Sequence, residues 1–227
     1  MEPKPSISVG CVGLTDAARV YWNQFQIMEL DEKLVSTVKD KTVRKWKEQI
    51  STNGLVLGFG VDGAAGGLNT PASKAHWDRV AALYDELDAH RILFRTPANF
   101  RPTPTNKNAV VEFFQSQLGD RQAVWWAEGL WESQADEFAE VADAAGLTPV
   151  FDPLGMDDID DLPRQENPYW RLMGRRGLRA GFSDYEMDAL LDLALGFGRA
   201  SIMFTSPSMK TDAIRFSRAV RRELSEG

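Results

Sequence analysis

The chain has 227 residues, 43% of them hydrophobic, with seven Trp and twelve Phe. That is enough apolar material for one large core and too much aromatic area for a disordered chain. A formal charge of −7, from 33 acidic and 26 basic residues, argues against a general nucleic-acid binder, because such proteins gain affinity by neutralising phosphates. A single cysteine, Cys11, excludes an intramolecular disulfide, and two histidines exclude a histidine-rich zinc site.

Read in chain order, Met1-Glu-Pro-Lys-Pro lacks the cationic and apolar segments of a leader, and no run approaches the ~18 apolar residues of a membrane span. A cytoplasmic protein with no membrane partner is the expectation. Ile7–Val12 reads as the first strand, with Cys11 as a small buried hydrophobe, followed by a helix over Thr15–Gln24 and a strand at Gln26–Leu30. Thr42–Ile50 reads as a helix and Leu55–Val61 as a strand. Ser73–Ala89 is a charged helical stretch, and His76 and His90 are expected as ordinary surface or half-buried residues.

A strand at Ile92–Arg95 leads to a helix over Asn108–Gln117, which Asn106 or Asn108 can cap. Ala123–Ala127 carries consecutive Trp125 and Trp126, which must point to opposite faces; core packing is expected for them and for Trp131. The helix over Ser133–Ala145 should stop at Gly146, and Pro149–Phe151 is a short strand. The acidic stretch from Pro153 to Pro168 reads as a solvated loop. Tyr169–Met173 is an aromatic strand, and Ser183 with Glu186 has the capping-box form ahead of a helix over Asp184–Leu195. Ser201–Phe204 and a closing helix at Thr211–Leu224 complete the series, and that helix implies no partner.

Strands that alternate with helices imply parallel pairing. Eight such units of roughly 28 residues each predict a compact (β/α)8 TIM-type barrel spanning residues 1–227 as one domain, and an open doubly wound sheet is the competitor. No dinucleotide fingerprint follows the first strand, since Gly10-Cys-Val-Gly13 lacks the third glycine. Arg171 sits among Tyr169, Trp170 and Leu172, where a buried cation needs acidic partners or a bound anion.

Several segments together resemble the YecE-like family, catalogued as domain of unknown function seventy-two. They are Val9-Gly10-Cys-Val-Gly13, Tyr21…Phe25…Glu29 with Trp46, Glu128…Trp131, Pro149-Val-Phe-Asp152, Tyr169-Trp-Arg171-Leu-Met173-Gly174-Arg175 and Met203-Phe204-Thr205-Ser206. The resemblance implies a TIM-type barrel and no settled activity. Glu29, Glu128, Asp152, Arg171 and Gly174 are retained. Met173 stands where the family has His, Asp62 where it has Lys, Leu130 where it has Arg, and Thr205 and Ser206 where it has paired Asn. The element after the first strand is shortened, so the chain resembles a divergent, reduced member with a degenerate first βα unit.

In such a barrel function sits at the C-terminal strand ends, here Glu29, Asp62, Arg95, Glu128, Asp152, Arg171, Arg175, Thr205 and Ser206. Three readings compete. In the first, Arg171 is locked by Glu29, Glu128 or Asp152 in a degenerate or binding barrel. In the second, the carboxylates, Asp62 foremost, hold Mg or Mn for hydrolysis or isomerisation of a phosphorylated small molecule. In the third, Arg95, Arg171 and Arg175, with Thr205 and Ser206, bind a small anion while Glu29, Glu128 or Asp152 acts as acid or base. Alternation places Gly58 and Gly60 on the face of Asp62, which leaves room for a ligand unless the glycines only relieve crowding.

Overall fold

The apolar runs form strands and the amphipathic stretches form helices in the computed structural model, which describes residues 5–226 apart from 14, 16, 50–53, 62–66, 157, 158, 160, 161, 164 and 175–180. In chain order the first half holds β1 (Ser6–Val12), α1 (Ala18–Gln24), β2 (Ile27–Leu30), α2 (Glu32–Thr37), α3 (Asp40–Gln49), β3 (Gly54–Gly60), α4 (Pro71–Leu87), β4 (Arg91–Thr96) and α5 (Pro104–Gln117). The second half holds β5 (Ala123–Ala127), α6 (Ala135–Ala144), β6 (Thr148–Pro149), β7 (Tyr169–Leu172), α7 (Asp184–Leu195), β8 (Arg199–Phe204) and α8 (Met209–Glu226). The chain divides into two compact units, one made of the residues up to Glu29 with those from Phe151 onward, the other of Leu30–Val150.

In the first unit β1 lies between β2 and β8, and β7 lies beyond β8, all parallel. The register sets Val12 beside Glu29 and Arg171 beside Met203. Cys11 is fully buried on β1, as a small hydrophobe there should be. The first crossover helix, α1, has only seven residues, which fits the shortened first unit. It is anchored by Tyr21, whose buried hydroxyl accepts the Cys11 N–H at 2.8 Å and donates to the Ile27 carbonyl at 2.7 Å. Burial pushes the Tyr21 hydroxyl pKa far up, so it stays a neutral donor. On α7, Ser183 and Glu186 form the capping box that the sequence announced.

In the second unit β3, β4, β5 and β6 follow one another in parallel. A layer of aromatic rings packs behind these strands: Phe59, Trp77, Phe94, Phe113 and Phe114. Trp125 joins it from β5, resting on Trp131 and Phe138. Helix α5 starts earlier than its pattern suggested: Pro104 takes the first turn and Thr103, not Asn106 or Asn108, is the cap, accepting the Asn106 N–H. Helix α2 has no counterpart among the expected elements; Asp31 caps it by accepting the Leu34 N–H at 2.8 Å. His76 is half-buried on α4, and His90, half-buried too, follows that helix. Among the described residues no helix is long and apolar enough to cross a membrane.

Candidate functional site

Arg171 has the acidic partner that its burial demanded. Along β7 alternate residues share a face, so Tyr169 and Arg171 point the same way and converge on Glu29 at the end of β2. Arg171 Nη2 donates to Glu29 Oε1 at 2.8 Å and Nε donates to Oε2 at 3.0 Å, while the Tyr169 hydroxyl donates to Oε2 at 3.0 Å. The Glu29 side chain is 2% exposed and that of Arg171 10%. A two-toothed pair with a third donor meets the geometric standard that a buried ion pair needs to offset desolvation. Trp170 and Leu172, on the opposite face, are fully buried, and Trp170 meets Phe197 edge-on.

Asp152, two residues beyond Val150, is held differently. Its Oδ2 accepts the Met173 N–H at 2.9 Å and its Oδ1 the Leu154 N–H at 3.1 Å. Burial pushes its pKa up to about 6; backbone N–H groups, including that of Gly155, oppose the rise and the Glu186 carboxylate adds to it.

In the second unit Arg95 stands at the end of β4, opposite Trp126 on β5, with its guanidinium carbon 5.9 Å from the Trp126 ring centroid. Its Nη2 donates to Glu128 Oε1 at 2.9 Å and its Nη1 lies 3.5 Å from Glu32 Oε1. The Arg95 side chain is 40% exposed, so water screens both pairs. Glu32, on the unforeseen helix α2, was absent from the candidates; the Asp31 cap was the signal that could have placed it.

The space expected beside Gly58 and Gly60 is filled by the chain itself. A Cβ on Gly58 would lie 2.7 Å from the Glu32 nitrogen and 2.8 Å from the Leu30 oxygen, and one on Gly60 would lie 3.1 Å from Glu32 Cγ. The glycines admit the backbone that leads into α2, which favours the crowding reading over a ligand pocket. Next to them His76 is less basic than usual because of burial, although a hydrogen bond with the Gly60 backbone and the charge of Glu32 act the other way.

The remaining candidates divide in two. The Thr205 hydroxyl donates to the Leu172 carbonyl at 3.0 Å, and Ser206 Oγ lies 3.3 Å from Ser208 Oγ, which donates to the buried Asp212 at 2.6 Å. Both hydroxyls thus contribute to holding β7 and the start of α8. Asp62 and Arg175 lie outside the described residues. Among the described residues no three His, Cys, Asp or Glu side chains gather as a metal ion would require, so the described carboxylates do not by themselves fit Mg or Mn.

No protein-family model matches the sequence, and no curated protein does. Solved structures do. A DUF72 family protein of Enterococcus faecalis is similar over 99% of each chain, with a TM-score of 0.72 at 14% identity. A DUF72 family protein of Thermotoga maritima matches over 97% of this chain and 99% of its own, with a TM-score of 0.65 at 13% identity. Endonuclease IV of Thermus thermophilus matches over 98% of this chain and all of its own, with a TM-score of 0.59 at 12% identity. The fold is therefore a (β/α)8 barrel of TIM type, and two of these neighbours carry the name of the family that the sequence resembles.

Proposed function

We propose that the chain is a divergent DUF72-type barrel, one domain over residues 1–227, whose charged strand ends act as structural locks: a degenerate barrel rather than a small-anion-binding one. The observation that carries this reading is the fork of Arg171 on Glu29. The cation that the resemblance would offer to an anion is buried, with two of its nitrogens on one carboxylate. The departures at Met173, Leu130, Thr205 and Ser206 favour the same reading, because each replaces a group the family usually keeps there.

Among the described candidate arginines, Arg95 is the one left for a small anion once Arg171 is paired with Glu29. Glu32 and Glu128 both press on that guanidinium, and two carboxylates around one cation repel an anion. The melting temperature in inorganic phosphate, for the native chain and for Arg95→Gln, tests this directly. A ligand at about a hundredfold its Kd adds about 2.7 kcal/mol, or roughly 5–10 °C at this length. We expect no shift; a shift of that size, lost in Arg95→Gln, would replace the degenerate reading with a small-anion barrel.

The second reading, a Mg- or Mn-dependent hydrolase or isomerase acting on a phosphorylated small molecule, draws support from the likeness to endonuclease IV. It requires Asp62 to complete a ligand set. Melting in EDTA against millimolar Mg²⁺ or Mn²⁺ tests it: a comparable shift, abolished by Asp62→Asn, would favour the metal enzyme, and none would count against it.

A further inference from the structure

Helices α7 and α8 pack side by side in the first unit and carry charges of opposite sign on their outer faces. Asp184, Asp188 and Asp192 recur every fourth residue along α7, and Arg215, Arg218 and Arg222 follow at spacings of three and four along α8. Each set is therefore one stripe, and all six residues are exposed. Arg221 turns away to the Gln24 carbonyl, and Glu186 is engaged in the capping box, so neither dilutes the stripe of its helix. Arg215 Nε lies 3.8 Å from Asp184 Oδ1, which aligns the starts of the two stripes. Among the described residues Asp188, Asp192, Arg218 and Arg222 make no ion pair. Beside the acidic stripe stands Tyr185, 82% exposed, the most exposed of the large hydrophobic side chains described.

We propose that this two-helix face binds a second copy of the chain about a two-fold axis passing between Asp188 and Arg218. Half a turn about that axis lays each α7 antiparallel along the other copy's α8. Asp184 then meets Arg222 of the second copy, Asp188 meets Arg218, and Asp192 meets Arg215, with symmetry making each pairing twice. At about 1.5 Å per residue the stripes are about 12 Å and about 10 Å long, so their lengths match. A partner of one sign would set like charge against one of the two stripes, whereas a second copy brings both signs at the right spacing. Tyr185 comes to lie over the turn that carries Arg222 of the second copy, and a guanidinium on an aromatic face is favourable. Helices of 12 and 18 residues, set about 10 Å apart, offer roughly 400–500 Å² per copy, below the ~800 Å² of a standard interface. The dimer is therefore weak, reversible and sensitive to salt. It goes beyond the degenerate-barrel reading and does not depend on it.

Sedimentation velocity of the whole chain at about 100 μM tests the face, in about 0.05 M and about 0.5 M NaCl, where screening differs several-fold. We expect a dimer at the lower salt and an affinity at least about tenfold weaker at the higher. Arg218→Glu with Arg222→Glu, and separately Asp188→Arg with Asp192→Arg, should each give a monomer, because like charges then face one another. An equimolar mixture of these two variants should recover the dimer, because opposite signs meet again. Tyr185→Ala changes no charge and keeps the test open should a reversed variant fail to fold; it should weaken the native dimer about tenfold. A monomeric native chain at the lower salt would overturn the proposal. So would a dimer that keeps its affinity in either charge reversal or in Tyr185→Ala, or a mixture that stays monomeric, which would assign the stripes to a different partner.

Discussion

Arg171 on Glu29 and Arg95 between Glu32 and Glu128 are the same chemistry at two depths. Both join a guanidinium at one strand end to carboxylates brought by another element. In the first the side chains are 10% and 2% exposed; in the second they are 40%, 37% and 27% exposed. A buried pair punishes the loss of one partner, because the survivor is left charged away from water. An exposed pair is screened and contributes little. Of these two contacts, the buried one should punish the loss of a partner and the exposed one should tolerate it, and exposure tells them apart more than hydrogen-bond length does.

The comparison breaks most visibly at Arg171. Arg171→Met should cost about 3–5 kcal/mol, lowering the melting temperature by on the order of 10 °C; an unchanged melting temperature would remove the lock. Pairing it with Glu29→Leu should recover more than half of that loss, because no orphaned charge then remains. Calorimetry of the single and double variants reads both effects.

Asp152 lies between the two depths and adds a pH dependence. Its native pKa of about 6 exceeds the ordinary 3.8, so the folded chain binds this proton more tightly than the unfolded one. That contribution to stability is complete below about pH 4 and is lost as pH rises through about 6, amounting to about 3 kcal/mol. Urea unfolding between pH 4 and pH 8 should show the decline, and Asp152→Asn should flatten it. The smallest effect belongs to Arg95: Arg95→Gln should change stability by no more than about 1 kcal/mol, and high salt should shrink even that. A loss comparable to that of Arg171→Met would erase the distinction.

Much of the barrel was legible because its strands are short apolar runs between strong punctuation. Helix α7 falls on its expected bounds because Ser183 and Glu186 mark its start within four residues of sequence. The structure departs from the expected elements where start signals compete or are weak. Pro104 and Thr103 outweigh Asn106 and Asn108 at α5, and the six residues of α2 carry little amphipathic pattern beyond the Asp31 cap. In the site, the burial of Arg171 required an acid and three were offered. Choosing Glu29 depends on the side-chain directions of β2 and β7, which arise from pairings far apart in sequence. Parity correctly put Gly58 and Gly60 on one face of β3 but could not reveal that the backbone of residues 30–32 occupies it.

The position of Cys11 has a practical consequence. It is the only thiol in the chain, fully buried on β1, the strand flanked by β2 and β8, with its sulfur 3.6 Å from the Met209 carbonyl. A thiol reagent can reach it only when the sheet around it comes apart, so alkylation of the native chain would count openings of that unit one molecule at a time. The protein thus carries its own unfolding reporter, and variants at Glu29, Arg171 or Asp152 can be ranked by labelling rate without an introduced probe.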